Sequence, residues 1–305
     1  MNISRSFASV LLVAAFAAGA PLAASAAEKP LSQRVADSAL NHWPDGRFEP
    51  APAPLAWNYA LGTLLEGMDS VWQNTVDPRY FHYIQDSVDK LLAPDGSIPS
   101  LKPEEDQLDN ILLGRQLLFL YGYTQNKRYY TAATQLYKSL DSQPRTASGG
   151  FWHKQRYPNQ MWLDGLYMAE PFRAEYAATF HHPQDFSDIT LQFALIHQHL
   201  QNPKTGLLLH AWDESKQQPW ADKQTGVSGQ YWGRGMGWVM MALVDTLPSY
   251  PEYSAGRKQL LDLLAHDAAA ITRAQDPKTG LWFQVLDKPT AKGNYLESSA
   301  ASMFV

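Results

Sequence analysis

One turn occurs twice in this chain in nearly the same letters. Asn202-Pro203-Lys204-Thr205-Gly206-Leu207 and Asp276-Pro277-Lys278-Thr279-Gly280-Leu281 differ only at their first residue, and looser versions stand at Pro94-Asp95-Gly96 and Ser148-Gly149-Gly150. Short clusters of Pro, Gly and Asx mark chain reversals. The marking glycines fall at 96, 150, 206 and 280, so the gaps are 54, 56 and 74. Between the turns, apolar residues recur at helical spacing over 59–72, 80–92, 111–121, 128–140, 165–179, 186–199, 237–247 and 260–274, with a further helix over 33–41. β-branched runs of period two are nearly absent. Two helices per unit of about 55 residues make a helical-hairpin repeat. A lone hairpin cannot bury its apolar face, so the hairpins must stack or close into a ring, and the fold class is all-α. Each turn glycine precedes a short apolar or aromatic segment, such as Phe151-Trp152-His153 or Leu207-Leu208-Leu209-His210. These loops should lie on one rim, where a site is readily assembled.

The ends of the chain set the domain layout. A basic start at Arg5, an apolar run from Phe7 to Leu22 and the small-residue pattern Ala24-Ser25-Ala26 read as a secretory signal peptide over 1–26, which predicts a periplasmic or secreted protein. Residues 27–56 form a Pro- and Ala-rich arm, and 57–305 the main domain. No later stretch is long and apolar enough to span a bilayer. There is no Cys, which excludes disulfides and thiol chemistry. The net charge of −5 carries no basic tract, which argues against nucleic acid as a partner. The 10 Trp, 15 Tyr and 12 Phe suit stacked sugar rings or a large aromatic core. Oligomeric state has no signature.

Asp164 is the most pointed polar residue. It is set among Trp162, Leu163, Leu166 and Tyr167, with no basic residue from Met161 to Phe172. A carboxyl in apolar company can serve as a general acid, and an Asp before a helical run can equally be an N-cap. Asp109 stands in Gln107-Leu108-Asp109-Asn110, just ahead of the apolar run at 111, as a second carboxylate at a matching helix start. His153 and Lys154 follow Gly149-Gly150-Phe151-Trp152, and His210 ends the Leu207–Leu209 run. In Trp232-Gly233-Arg234-Gly235-Met236-Gly237-Trp238, a lone Arg among glycines could fork onto a carboxylate or pack on Trp. His197 and His199 are two apart on a helix and face different ways. Asp213-Glu214 and Asp222 read as loop caps, and His181-His182 as a solvent-facing pair. No zinc spacing, phosphate loop or Gly-x-Ser-x-Gly elbow is present, so neither metal nor cofactor is expected.

Several segments, in this order and spacing, resemble glycoside hydrolase family 105, the unsaturated rhamnogalacturonyl hydrolases. They are Trp57-Asn58-Tyr59, Leu108-Asp109-Asn110, Gly150–Lys154, Met161–Phe172, His210–Asp213, Trp232–Trp238 and Tyr295-Leu296-Glu297-Ser298-Ser299. The resemblance implies an (α/α)6 barrel of six hairpins. It implies Asp164 as general acid/base and Asp109 as its partner carboxylate. It implies His153, Lys154, His210, Trp232 and Arg234 in the sugar pocket, with Tyr59 and Trp238 as wall residues. The implied substrate is a lyase-generated oligosaccharide ending in a C4=C5 unsaturated uronate, cleaved by hydration of that double bond. Counting about 50–55 residues per hairpin from Trp57 gives four to five hairpins, so the expected barrel is incomplete at the C-terminus. Three alternatives stay open: an unsaturated glucuronyl hydrolase acting on glycosaminoglycan or ulvan fragments, a non-catalytic periplasmic sugar-binding barrel, and an α/α-barrel polysaccharide lyase.

Overall fold

The structure is a computed structural model that describes residues 28–47 and 55–305; the expected signal peptide lies outside the described residues. Ten α-helices form among them. They are α1 (Leu31–His42), α2 (Tyr59–Thr75), α3 (Pro78–Asp89), α4 (Gly114–Thr124), α5 (Lys127–Ser139), α6 (Leu163–Phe180), α7 (Asp185–Leu200), α8 (Gly233–Thr246), α9 (Ala255–Arg273) and α10 (Ser298–Phe304). The even-numbered helices pack side by side in the order α2, α4, α6, α8, α10, and the odd-numbered helices pack against them from outside.

The sequence patterns explain which helix goes where. α3 buries Tyr80, Tyr83, Ile84, Ser87 and Val88, one face of a 3.6-residue period, and leaves the other face in water. α6 buries 13 of its 18 residues, as a helix enclosed on all sides must. The links from α2 to α3, α4 to α5 and α6 to α7 are tight. Val76 and Gln125 end α2 and α4 in the left-handed region (φ 55° each), and Asp77 and Asn126 then accept from the amides of Arg79 and Arg128 at 3.0 Å to start α3 and α5.

The return links from outer to inner helix are long and make up the opposite rim. The Asx turn found twice in the sequence is present three times. In each copy the glycine amide (Gly206, Gly226, Gly280) donates to the Asx carbonyl (Asn202, Asp222, Asp276) at 2.8 Å, and the glycine has positive φ. Asp222-Lys223-Gln224-Thr225-Gly226 is the unpredicted third copy. In the second loop the left-handed residue is Gly149 (φ +97°), one earlier than expected. The rim also holds a short antiparallel ribbon in an otherwise helical chain: β1 (Gln160–Trp162) against β2 (Ala211–Asp213), with Met161 opposite Trp212.

Two predicted boundaries move. Residues 108–110 form a 3-10 turn and α4 begins only at Gly114, where an added Cβ would lie 2.5 Å from the Phe172 ring of α6. The Gly233-Arg234-Gly235 segment is the first turn of α8 and not a loop. Helix propensity disfavours those glycines, but the packing is close: a Cβ would lie 3.0 Å from Phe283 O on Gly233, 3.1 Å from Trp232 Cε3 on Gly235 and, further along, 2.6 Å from Met303 Sδ of α10 on Gly237.

At the centre of the ring, Arg115 of α4 reaches Glu66 of α2 at 2.6 Å, Asp245 of α8 at 2.7 Å and Glu175 of α6 at 3.6 Å. Three carboxylates share one guanidinium. Burial pushes Glu66 up to about 8 and Glu175 up to about 6 against the pull of Arg115. Between α2 and α10 an apolar groove of about 890 Å³ is lined by Val35, Leu64, Met68, Val71, Ala301 and Val305, among others. No helix of the described residues is long and apolar enough to cross a membrane.

Candidate active site

The rim loops bring the predicted residues together through backbone pairing. Leu108 N–H donates to His153 C=O at 3.1 Å, and His153 N–H to Gln160 C=O at 2.8 Å. Leu163 N–H donates to His210 C=O at 3.1 Å, and His210 N–H to Gln230 C=O at 3.0 Å. The 106–110 turn is tied to the 152 loop by Gln143, whose amide donates to Asp106 C=O and Trp152 C=O at 2.7 Å each. Phe151 anchors the loop that carries His153 and Lys154: Arg145 and Arg173 lie over its ring at 4.0 and 4.9 Å.

Asp109 is buried and doubly paired. His153 Nε2 lies 3.1 Å from Oδ1 and Lys154 Nζ 2.5 Å from Oδ2. Burial pushes the carboxyl up, but His153 and Lys154 outweigh it and hold Asp109 below its ordinary range. Asp109 is therefore a fixed anion. Lys154, expected to meet the sugar directly, has its ammonium committed to Asp109. A rim groove of about 340 Å³ opens beside it, lined by Gln107, Gln155 and Arg156.

Asp164 lies in the first turn of α6 as its second residue, with Trp162 in the cap position. The capping alternative is overturned: no hydrogen bond joins the Asp164 carboxylate to an amide among the described residues, and Oδ2 is buried without a partner. Its nearest charged-type neighbour is His210, with Nδ1 3.7 Å from Oδ2, too long for a hydrogen bond. Burial lowers the His210 pKa, against the opposing pull of Asp164, so the imidazole is neutral near pH 7. Gly165 lets these parts meet, since a Cβ there would lie 3.1 Å from Leu108 Cδ1 and 3.3 Å from His153 Nδ1.

Arg234, in the first turn of α8, stacks over Trp232 at 4.7 Å and bonds Glu297 Oε1 through Nη1 at 2.6 Å. The packing of this Arg on Trp is present as expected. Trp238, one helical turn further, stacks on Tyr167 at 5.0 Å and meets Tyr59 edge-on at 6.4 Å. Trp238 is only 4% exposed, so it is floor more than wall, whereas Tyr59 is 42% exposed. Four of the buried polar atoms without a hydrogen-bond partner among the described residues lie here: Asp164 Oδ2, His210 Nδ1, His153 Nδ1 and Glu297 Oε2. Such atoms need an explanation, and a ligand supplies one.

Comparisons with known proteins place the chain in a family. The family model described as Glycosyl Hydrolase Family 88 matches residues 31–305. The chain belongs to that family. It is 31% identical over 257 residues to the unsaturated rhamnogalacturonyl hydrolase YesR of Bacillus subtilis (strain 168), covering 81% of this chain and 68% of that relative. Its fold matches a family 105 glycoside hydrolase from C. acetobutylicum ATCC 824 with a TM-score of 0.85 and 39% identity, covering 90% of this chain and 75% of the other. It also matches the unsaturated glucuronyl hydrolase from Bacillus sp. GL1 with a TM-score of 0.67 over 90% of this chain and 74% of the other, where 12% identity speaks for the fold alone. The all-α, six-hairpin type of fold and the family 105 resemblance both stand, and the protein is a glycoside hydrolase.

Two residues of this family 88 site escaped the sequence reading. Trp162 appeared only as apolar company for Asp164. In the structure it lies between His153 and Tyr157, both rings at 4.8 Å and nearly parallel, with His210 tilted at 5.5 Å. Both its faces are covered, so it orients the two histidines and offers sugar only an edge. Glu297 was quoted in a motif without a role. Elsewhere, His197 and His199 do diverge: His197 bonds Asp267 at 2.9 Å, while His199 stacks on Trp212 at 3.6 Å. Asp213 and Asp222 accept amides of their own loops, as expected of caps.

Proposed function

We propose that this glycoside hydrolase removes the C4=C5 unsaturated uronic acid from the non-reducing end of lyase-generated rhamnogalacturonan or pectin oligosaccharides. The observation that carries the reading is the division between the two carboxylates. Asp109 is a fixed anion between His153 and Lys154, whereas Asp164 has no cation partner and a neutral imidazole beside it. A proton donor next to a permanent anion is what protonation of an enol ether requires. Similarity to the unsaturated rhamnogalacturonyl hydrolase of B. subtilis supports the rhamnogalacturonyl substrate.

Asp164 delivers its proton to C4. Positive charge develops at C5 and the ring oxygen, and Asp109 stabilises it. Asp164, now a carboxylate, takes a proton from the water that attacks C5. Water has then added across the double bond, with hydrogen at C4 and hydroxyl at C5. The hemiketal opens to a ketone, C1 becomes a hemiacetal, and it expels the linked sugar as an alcohol. Arg234 holds the uronate carboxylate, Tyr59 and Trp232 border the ring, and Trp238 underlies it. The rim groove beside Lys154 leaves room for the sugar that departs. We further propose export, with residues 1–26 removed; N-terminal sequencing of protein from the native host tests this.

The deciding assay follows loss of the ultraviolet absorbance of the conjugated uronate. Lyase products of rhamnogalacturonan, ulvan and chondroitin are compared side by side. Rhamnogalacturonan products should be turned over fastest, and Asp164→Asn should lower kcat by about 10²–10⁴ while the fold is retained. Wild-type turnover by that variant refutes the role of Asp164. Preference for chondroitin products points to a glucuronyl hydrolase, absorbance gain to a lyase, and tight binding without turnover to a sugar-binding barrel.

A further inference from the structure

We infer that Glu297 is a positioning residue that sets the orientation of Arg234, so that the Nε–Nη2 edge of the guanidinium faces the substrate carboxylate. This rests on the proposed role of Arg234 in binding that carboxylate. Glu297 is 5% exposed and fixed at the start of α10: its amide donates to Trp282 C=O at 2.8 Å and its carbonyl accepts from Ala301 N–H at 3.1 Å. Its Oε1 accepts from Arg234 Nη1 at 2.6 Å and from Ser299 Oγ at 2.5 Å. The Trp232 ring, 4.7 Å from Arg234 Cζ, restrains the guanidinium from a second direction.

A guanidinium offers five N–H donors. Glu297 takes one, on Nη1, and no acceptor among the described residues takes Nε or Nη2. Those two nitrogens present the parallel pair of N–H bonds that a carboxylate accepts as a fork. A buried carboxylate at this point lowers the net attraction of the pocket for an anionic substrate, so its presence is not explained by affinity. Orientation explains it. An arginine already paired and stacked is held still, and it prefers a ligand with two coplanar oxygens over an anion in general. The unpartnered Oε2 fits the same view, since Glu297 is seated for Arg234 and not for its own full satisfaction.

The test uses the full chain with an unsaturated-uronate disaccharide and its methyl ester. Glu297→Ala should raise KM for the free acid about tenfold while kcat falls less than about threefold, and should change KM for the neutral ester less than about twofold. Glu297→Gln, which keeps an acceptor oxygen for Nη1, should recover most of the loss. The Glu297→Ala/Arg234→Ala double variant should have no higher KM than Arg234→Ala alone. Equal KM increases for acid and ester, or independent effects of the two substitutions, overturn the inference and leave the role of Arg234 standing. An unchanged KM in Arg234→Ala overturns both.

Discussion

Replacing Lys154 by Met should move the acid limb of the pH–rate profile upward. Lys154 Nζ lies 2.5 Å from Asp109 Oδ2, and both side chains are 11% exposed. At an effective permittivity of about 20, unit charges that close attract by roughly 6–7 kcal/mol, most of which is offset by the desolvation of two ions. His153 stays on Oδ1, so the net loss should be about 1.5–3 kcal/mol, at the low end for breaking a buried pair. The Asp109 titration therefore rises when Lys154 is removed. The direction follows from the balance at the carboxyl. Burial alone pushes it up, His153 and Lys154 together hold it down, and removing Lys154 lets burial dominate. The proposed reaction needs Asp109 ionised, so kcat/KM should fail at higher pH in Lys154→Met. Stability carries the same signature. A depressed carboxyl stabilises the fold above its unfolded pKa of about 3.9 and loses that contribution as pH falls. The stability gap between wild type and variant should therefore be open at pH 7 and close below about pH 4. The assay is kcat/KM by absorbance loss across pH, with urea melts at each end and Lys154→Arg as the charge-retaining control. A folded Lys154→Met protein with an unmoved acid limb would show that Lys154 is not what keeps Asp109 ionised.

Other substitutions test the frame around the site. Glu66 in the central cluster is pushed by burial to about 8, above its unfolded value, so its contribution to stability is full in acid and lost as pH rises towards 8; Glu66→Gln should flatten the fall in urea midpoint between about pH 5 and 9. His197→Phe leaves Oδ2 of the wholly buried Asp267 without its partner, with only His266 Nδ1 at 3.4 Å from the other oxygen, and should cost about 1–3 kcal/mol in chemical denaturation, while KM of the surviving folded protein stays near wild type.

Helix identity was readable because the apolar period is local, and so was the side of the ring on which the functional loops gather. The residues that lay unread depend on pairings distant in sequence. Trp162 meets the His210 ring only once β1 pairs with β2, some fifty residues away. Glu297 acquires a partner 63 positions back, at Arg234. The start of α8 was misjudged because glycine is a poor helix former, yet the packing of α10 on Gly237 outweighs propensity. The third Asx turn, at Asp222, was legible in principle: it lacks the Pro of the other two copies but keeps the Thr-Gly ending and the same hydrogen bonds.

The placement of the site follows from the direction of the helices. Every inner helix starts at the same rim. Tyr59 opens α2, Asp109 precedes α4, Asp164 and Arg234 lie in the first turns of α6 and α8, and Glu297 caps α10. Tight left-handed turns after α2, α4 and α6, and a 3-10 turn at 247–249 after α8, send the outer helices back, so the chain returns to that rim through long loops that can carry His153, Lys154 or His210. Five helix N-termini direct their partial positive charge to one place, and that field favours an anion there. The side chains themselves add little net charge, because Lys154 is matched by Asp109 and Arg234 by Glu297. The backbone of the ring therefore attracts a uronate while the paired side chains orient it. Asp164, the carboxylate left without a cation, is the group that gives up and recovers the proton in the proposed reaction.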